Sequence, residues 1–263
     1  MPSLDLRSLV QQAREAPVGA GLAARVVPLI DLTSLKGDES APEIERLCER
    51  AVEHGTAAVC IYPDHLPTAR ARLAGSAVRL ATVANFPHGG DDVARAADET
   101  AAAVAAGADE VDVVAPFGAT AEGDVGLVGE LVEACRAAAG PGATLKLILE
   151  TGTLREPAVI TAAARAAVMA GVDFLKTSTG KAEVGATLEA AAALLAVTHE
   201  AEGRVGFKAA GGIRTAADAA GYLRLADAIM GPGWASPRTF RFGASSLLDD
   251  LLGGRGGEAR GTY

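Results

Sequence analysis

"MAGVDFLKTSTGK", residues 169–181, runs from a helix end through a glycine into a short apolar stretch that finishes on Lys176. The same order of helix end, Gly and strand recurs in "EHGTAAVCIY" (53–62) and "AAGADEVDVV" (105–114). Repeated units of this kind favour parallel strands joined by right-handed crossovers. Working outward from them, strands are predicted near residues 28–33, 57–62, 78–84, 110–115, 145–150, 173–178, 205–210 and 227–231. Between the strands lie Ala-rich stretches such as "PEIERLCERAVEHG", "DVARAADETAAAVAAG" and "PAVITAAARAAVMAG", most of them closing on Gly where a left-handed helix cap belongs. Eight strands closing on themselves predict an α/β fold of the TIM (β/α)8 type, with an open doubly wound sheet as the alternative.

A barrel of roughly 250 residues would use nearly all of the 263 residues, 49% of them hydrophobic. The expected division is a single domain over residues 1–252 with an N-terminal helix, followed by a flexible Gly-rich tail over 253–263, "GGRGGEARGTY". The net charge of -9 argues against a protein that coats nucleic acid or anionic lipid, and favours a small-molecule partner. Ala-rich exterior helices would allow a homodimer. No apolar run suits a signal peptide or a membrane span of about 20 residues, so a soluble cytoplasmic protein is expected. Three cysteines stand far apart, and the four histidines lack ligand spacing, so neither a disulfide framework nor a metal site is expected.

Period-two reading of "LKLILE" sends Leu145, Leu147 and Leu149 toward the helices and Lys146, Ile148 and Glu150 toward the axis. The same reading turns Lys176, Lys208 and Asp112 inward. Active sites of such barrels form at the C-terminal strand ends. Asp31, Cys60, Asn85, Asp112, Glu150, Lys176 and Lys208 are expected near those ends. A second cation nearby and a desolvated pocket both push a lysine toward its neutral form, which is a nucleophile toward carbonyl groups. Asp112 could keep the second lysine charged and move protons through a water. The alternative is an internal ion-pair network of Lys146, Lys176 and Lys208 with Asp31, Asp112 and Glu150, without catalysis.

Glycine-rich loops supply the second signal. "KAAGGIRT" follows strand seven, and "RFGASSLLDDLL" is expected to follow strand eight, with Gly243, Ala244, Ser245 and Ser246 opening a short helix. "TSTGK" after strand six contributes Thr179, Gly180 and Lys181. Backbone N–H groups and glycines in these positions suit a phosphate site. Cys60 reads as a small buried hydrophobe, and His88 in "NFPHGGDD" as a loop residue.

Taken in order, "LIDLTSL", "CIYP", "VANFPHG", "ADEVDVV", "LKLILETG", "FLKTSTGK", "GFKAAGGIRT" and "RFGASSLL" resemble the deoxyribose-phosphate aldolases, class I aldolases on a TIM barrel. The resemblance spans most of the chain. It implies that Lys176 forms a Schiff base, that Lys208 lowers its pKa, and that Asp112 joins Lys208 in a proton relay. It implies a substrate site around Asp31, Cys60, Thr179, Gly180, Lys181, Gly211, Gly212, Gly243, Ser245 and Ser246. The implied reaction splits 2-deoxy-D-ribose 5-phosphate reversibly into D-glyceraldehyde 3-phosphate and acetaldehyde, with no metal or other cofactor. "FKAAGG" stands where Lys-Pro-Ala-Gly-Gly is commoner in that family, and "VVAPFG" where an aromatic residue often precedes the Pro. Another Schiff-base phosphosugar lyase, a transaldolase-like enzyme or a phosphosugar-binding sensor are the alternative readings.

Overall fold

The computed structural model describes residues 5–253. Eight parallel strands close into a barrel in sequence order, each paired with its neighbours in the chain and the last with the first. They are β1 (Ile30–Ser34), β2 (Ala58–Ile61), β3 (Arg79–Ala84), β4 (Glu110–Val114), β5 (Thr144–Ile148), β6 (Phe174–Lys176), β7 (Gly206–Ala210) and β8 (Phe240–Ala244). Helices α1 (Leu6–Arg14) and α2 (Leu22–Val26) precede the barrel. The crossovers carry α3 (Ala41–His54), α4 (Leu66–Leu73), α5 (Val93–Ala105), α6 (Phe117–Ala121), α7 (Gly126–Ala139), α8 (Thr151–Leu154), α9 (Pro157–Met169), α10 (Leu188–Glu200) and α11 (Ala216–Met230). Helix α12 (Leu247–Leu251) follows β8. The predicted tail from residue 254 onward, with Tyr263, lies outside the described residues.

Local chemistry sets the element ends. Ser40 and Glu43 form a reciprocal capping box at the start of α3, and Thr215 with Asp218 does the same for α11, each satisfying N–H groups that the first turn leaves open. Helix α3 stops at Gly55, whose φ of 68° is the left-handed conformation expected there.

Alternation along the strands then sorts the side chains. Leu145, Leu147 and Leu149 join the apolar layer between sheet and helices. On the inner surface a smaller apolar cluster, Leu35, Ala58, Cys60, Ala81 and Val83, leaves the rest of the axis to charged groups.

Strand eight departs from expectation. Residues 227–231, "DAIMG", expected as a strand, form the last turn of α11 and its cap. The true β8 is "FRFGA", so Gly243 and Ala244 belong to the strand, and Ser246 occupies the position before the first turn of α12. Phe240 and Phe242 pack against each other on the outer face, 4.8 Å between ring centroids, which turns Arg241 toward the axis. No described helix is long and apolar enough to cross a membrane.

Candidate active site

Four basic side chains meet three carboxylates inside the barrel. Asp112 on β4 is fully buried and accepts from three lysines: its Oδ1 from Lys146 at 2.7 Å, its Oδ2 from Lys176 and Lys208 at 2.8 Å each. Register explains the meeting, since Lys176 and Lys208 are directly paired across β6 and β7, and Asp112 and Lys146 across β4 and β5. Asp31 on β1 takes Lys208 on one oxygen and Arg241 on the other at 2.5 Å. Glu110 takes Lys146 at 2.6 Å and Arg241 at 2.8 Å.

The four cations are not equivalent. Lys208 and Arg241 each face two carboxylates and Lys146 two close ones with Asp31 at 4.0 Å, whereas Lys176 has a single one, shared with two other lysines. Lys176 is also 3% exposed where Lys146 and Lys208 are 0%, so it is the least enclosed of the three lysines. Burial pulls the Lys176 ammonium below the ordinary lysine pKa, and the Lys208 charge adds to that pull against the opposing attraction of Asp112. Burial works against the Lys208 charge too, but Asp112 and Asp31 outweigh it and hold Lys208 well above the usual range. For Asp112, burial is overcome by Lys146, Lys176 and Lys208, which keep it strongly acidic. With Lys176 as a free amine, three cations balance three carboxylates; with it protonated the buried cluster carries an excess charge, which a low-dielectric interior disfavours.

The strand ends above Lys176 are tied together. Thr177 Oγ1 bridges to the backbone of Ala210, donating to its O and accepting from its N, both at 3.0 Å. Glu150, which has a left-handed φ of 50°, receives the Thr179 hydroxyl and the Thr179 N–H on Oε2. Its Oε1 is buried with no partner among the described residues. Burial pushes the Glu150 carboxyl up, against the Thr179 hydrogen bonds. Lys181 reaches across the mouth and donates to Leu35 O at 2.6 Å. Gly211 and Gly212, with φ of 92° and 84°, turn the chain after β7 in a conformation that side chains rarely adopt. Ser245 is exposed, and Ser246 makes no side-chain cap to α12.

A match to the family model of the DeoC/LacD family aldolases covers residues 25–253, the whole barrel with these lysines in it. The chain belongs to this family. It is similar to the aldolase QR15, 32% identical with a TM-score of 0.71 over 87% of this chain and 96% of that one. A tetrameric deoxyribose phosphate aldolase from Aeropyrum pernix is 25% identical with a TM-score of 0.73, covering 95% of this chain and 97% of that one. A proposed deoxyribose-phosphate aldolase from Coccidioides immitis is 28% identical, with a TM-score of 0.77 over 96% and 100% of the two chains.

In this aldolase the residues named from sequence separate into levels. Lys176 is the last residue of β6, and Thr179, Gly180, Lys181, Gly211, Gly212, Ser245 and Ser246 follow the C-terminal ends of β6, β7 and β8. Asp31 sits lower, as the second residue of β1, with both oxygens engaged by Lys208 and Arg241. Cys60 lies in the inner apolar cluster, and burial pushes its thiol up. Gly243 is inside β8, where a Cβ would come within 2.9 Å of Ala210 Cβ and 3.1 Å of Lys208 Cε; its bare Cα makes room for the lysine stem. Glu150 is not in the ion-pair network expected for it, since Thr179 takes its place as partner. Sequence reasoning missed Glu110 and Arg241. Arg241 was hidden by the misplaced strand eight, and period-two reading of "FRFGA" would have found it. Among the described residues no cluster of His, Cys, Asp or Glu is arranged to hold a metal ion.

Proposed function

We propose that this aldolase cleaves 2-deoxy-D-ribose 5-phosphate to D-glyceraldehyde 3-phosphate and acetaldehyde through a Schiff base on Lys176. The observation that carries the reading is the inequality of the lysines: one amine with a lowered pKa at the mouth, beside one held charged by two carboxylates. A buried neutral amine next to a fixed cation is the arrangement that attacks an aldehyde. The amine adds to the C1 carbonyl of the open-chain sugar, and loss of water leaves an iminium. Removal of the C3 hydroxyl proton breaks the C2–C3 bond, and its electron pair flows to the iminium nitrogen. The aldehyde product departs, the enamine is protonated at carbon, and hydrolysis releases acetaldehyde and the free lysine. Asp112, touching both lysines through one oxygen, keeps them in register for a proton relay that it and Lys208 form through a water. The substrate phosphate is assigned to the rim formed by Gly180, Lys181, Gly211, Gly212, Ser245 and Ser246, where the two serine hydroxyls make no hydrogen bond among the described residues and Gly212 has open space beside its Cα.

Reduction with borohydride in the presence of deoxyribose 5-phosphate tests this. Mass spectrometry should find the adduct on Lys176 in the wild type. Lys176→Ala should fold, form no adduct there and lose turnover by roughly a thousandfold or more. An adduct on Lys208 in the wild type would reverse the roles, and no adduct with full turnover would end the Schiff-base reading.

A further inference from the structure

The network on the barrel axis does not end below the lysines. At the N-terminal end Arg241 lines a basin of about 800 Å3, opposite the mouth that holds Lys176. Small-molecule sites commonly enclose about 300–1,000 Å3, so its size suits a metabolite. Its lining includes Arg79, Arg136, Arg204, Arg238 and Arg241, against two carboxylates, Glu110 and Asp173. The positive lining stands out on a chain of net charge -9.

Conserving the fold would explain some of these arginines and not others. Arg136 is engaged by Asp173 at 2.7 Å and by two carbonyls, and Arg241 by Asp31 and Glu110. Arg204 uses only its Nε, on Ala201 O at 3.0 Å, and Arg238 makes no hydrogen bond or ion pair among the described residues. Arg79 has only long ion pairs, 3.9 Å to Asp109 and 4.0 Å to Glu110. Guanidinium forks left open around a concavity match phosphate and carboxylate oxygens in pairs.

We propose that this basin is a second binding site, for a polyanion bearing two or more phosphate or carboxylate groups, and that its occupancy is relayed to Lys176. Arg204 and Arg238 supply the open forks at the rim, and Arg241 the contact at the floor. From Arg241 the chain of contacts runs through Asp31 to Lys208, then through Asp112 to Lys176. An anion against Arg241 competes for its N–H groups and adds negative potential at the foot of the network. Lys208 is charged with or without the anion, so the added negative potential acts on Lys176: its protonated form is favoured, less of it is free amine and turnover falls. Binding itself is independent of the proposed reaction; only the relay rests on Lys176 being its nucleophile.

Titration calorimetry with pyrophosphate on the full chain tests the site, using the wild type and an Arg204→Ala, Arg238→Ala double variant. Wild type should bind saturably and the variant roughly tenfold more weakly or worse, since each lost charge-assisted hydrogen bond is substantial. Circular dichroism and turnover without pyrophosphate should be unchanged in the variant. No saturable binding to wild type, or equal affinity in the two proteins, overturns the site. In kinetics with deoxyribose 5-phosphate, pyrophosphate should lower kcat of the wild type and leave that of the variant alone. A rise in KM alone, equal in both proteins, places the anion at the mouth and overturns the basin. Saturable binding with an unchanged kcat overturns the relay. A chain that bound pyrophosphate at the basin but cleaved no sugar would sink the proposed reaction and leave the site standing.

Discussion

At the scale of single residues, the question is why three lysines lie in a barrel interior that would ordinarily hold Val and Ile. Each is there with a carboxylate, yet the carboxylates are one too few for the four cations. The deficit falls on Lys176, which has one shared partner and the nearest approach to solvent. Lys208 repels a proton on Lys176 and also occupies part of Asp112. Replacing it, as in Lys208→Leu, removes the repulsion and leaves Asp112 more fully to Lys176, and both changes raise the Lys176 pKa. Less free amine is then present near pH 7, and more forms as pH rises. The kcat/KM profile of Lys208→Leu should therefore fall strongly near neutrality and recover in part in alkali. A profile parallel to wild type at every pH would show that Lys208 does not tune the amine.

At the scale of elements, strand eight and the loops above it decide how the lysine pair is seated. Gly243 is the point where β8 lets the Lys208 stem pass. Gly243→Ala would add a methyl at sub-contact distance from both Lys208 and Ala210, with an overpacking cost of about 1–3 kcal/mol. Thermal unfolding should show that loss, and kcat should fall further than stability alone explains, because Lys208 must shift. Wild-type kcat in a folded Gly243→Ala protein would mean that the lysine position is not set here. Helix α12 gives a second prediction. Ser246→Asp places a negative charge at the assigned phosphate rim, away from Lys176. Its kcat/KM for deoxyribose 5-phosphate should drop sharply, while the low rate with unphosphorylated deoxyribose changes little. Equal losses for both sugars would remove the phosphate from this rim. Glycine spacing alone did not show which of these residues face a ligand. Gly211 and Gly212 turn the chain, whereas Gly243 accommodates a lysine, and the two uses look alike in sequence.

At the scale of the whole molecule, charged groups from β1, β4, β5, β6, β7 and β8 form one buried network that holds opposite sides of the barrel together. Such a cluster is costly to break at one member, because its partners remain buried without compensation. Arg241→Met should leave Asp31 and Glu110 short of a partner and destabilise the fold by about 3–5 kcal/mol. For a chain of this size that corresponds to a Tm lower by roughly 10 °C in calorimetry. A Tm near that of the wild type would mean that the barrel closes without this pairing. Much of the architecture was legible beforehand, because strand alternation and Gly-ended helices are local patterns. The repeats at 53–62, 105–114 and 169–178 were enough to predict parallel strands, and the inward turn of Lys146, Lys176, Lys208 and Asp112 followed from period two. Residues 227–231 misled because Ile and Met suit a helix end as well as a strand, and only the packing of α11 against its neighbours separates the two. The sequence by itself determined which residues could carry amine chemistry and which face of each strand they occupy. Which lysine is left short of a carboxylate was decided by tertiary structure alone. That choice depends on register between strands and on Glu110 and Arg241 engaging the other members, and contacts between residues as far apart as 31 and 241 have no local signature.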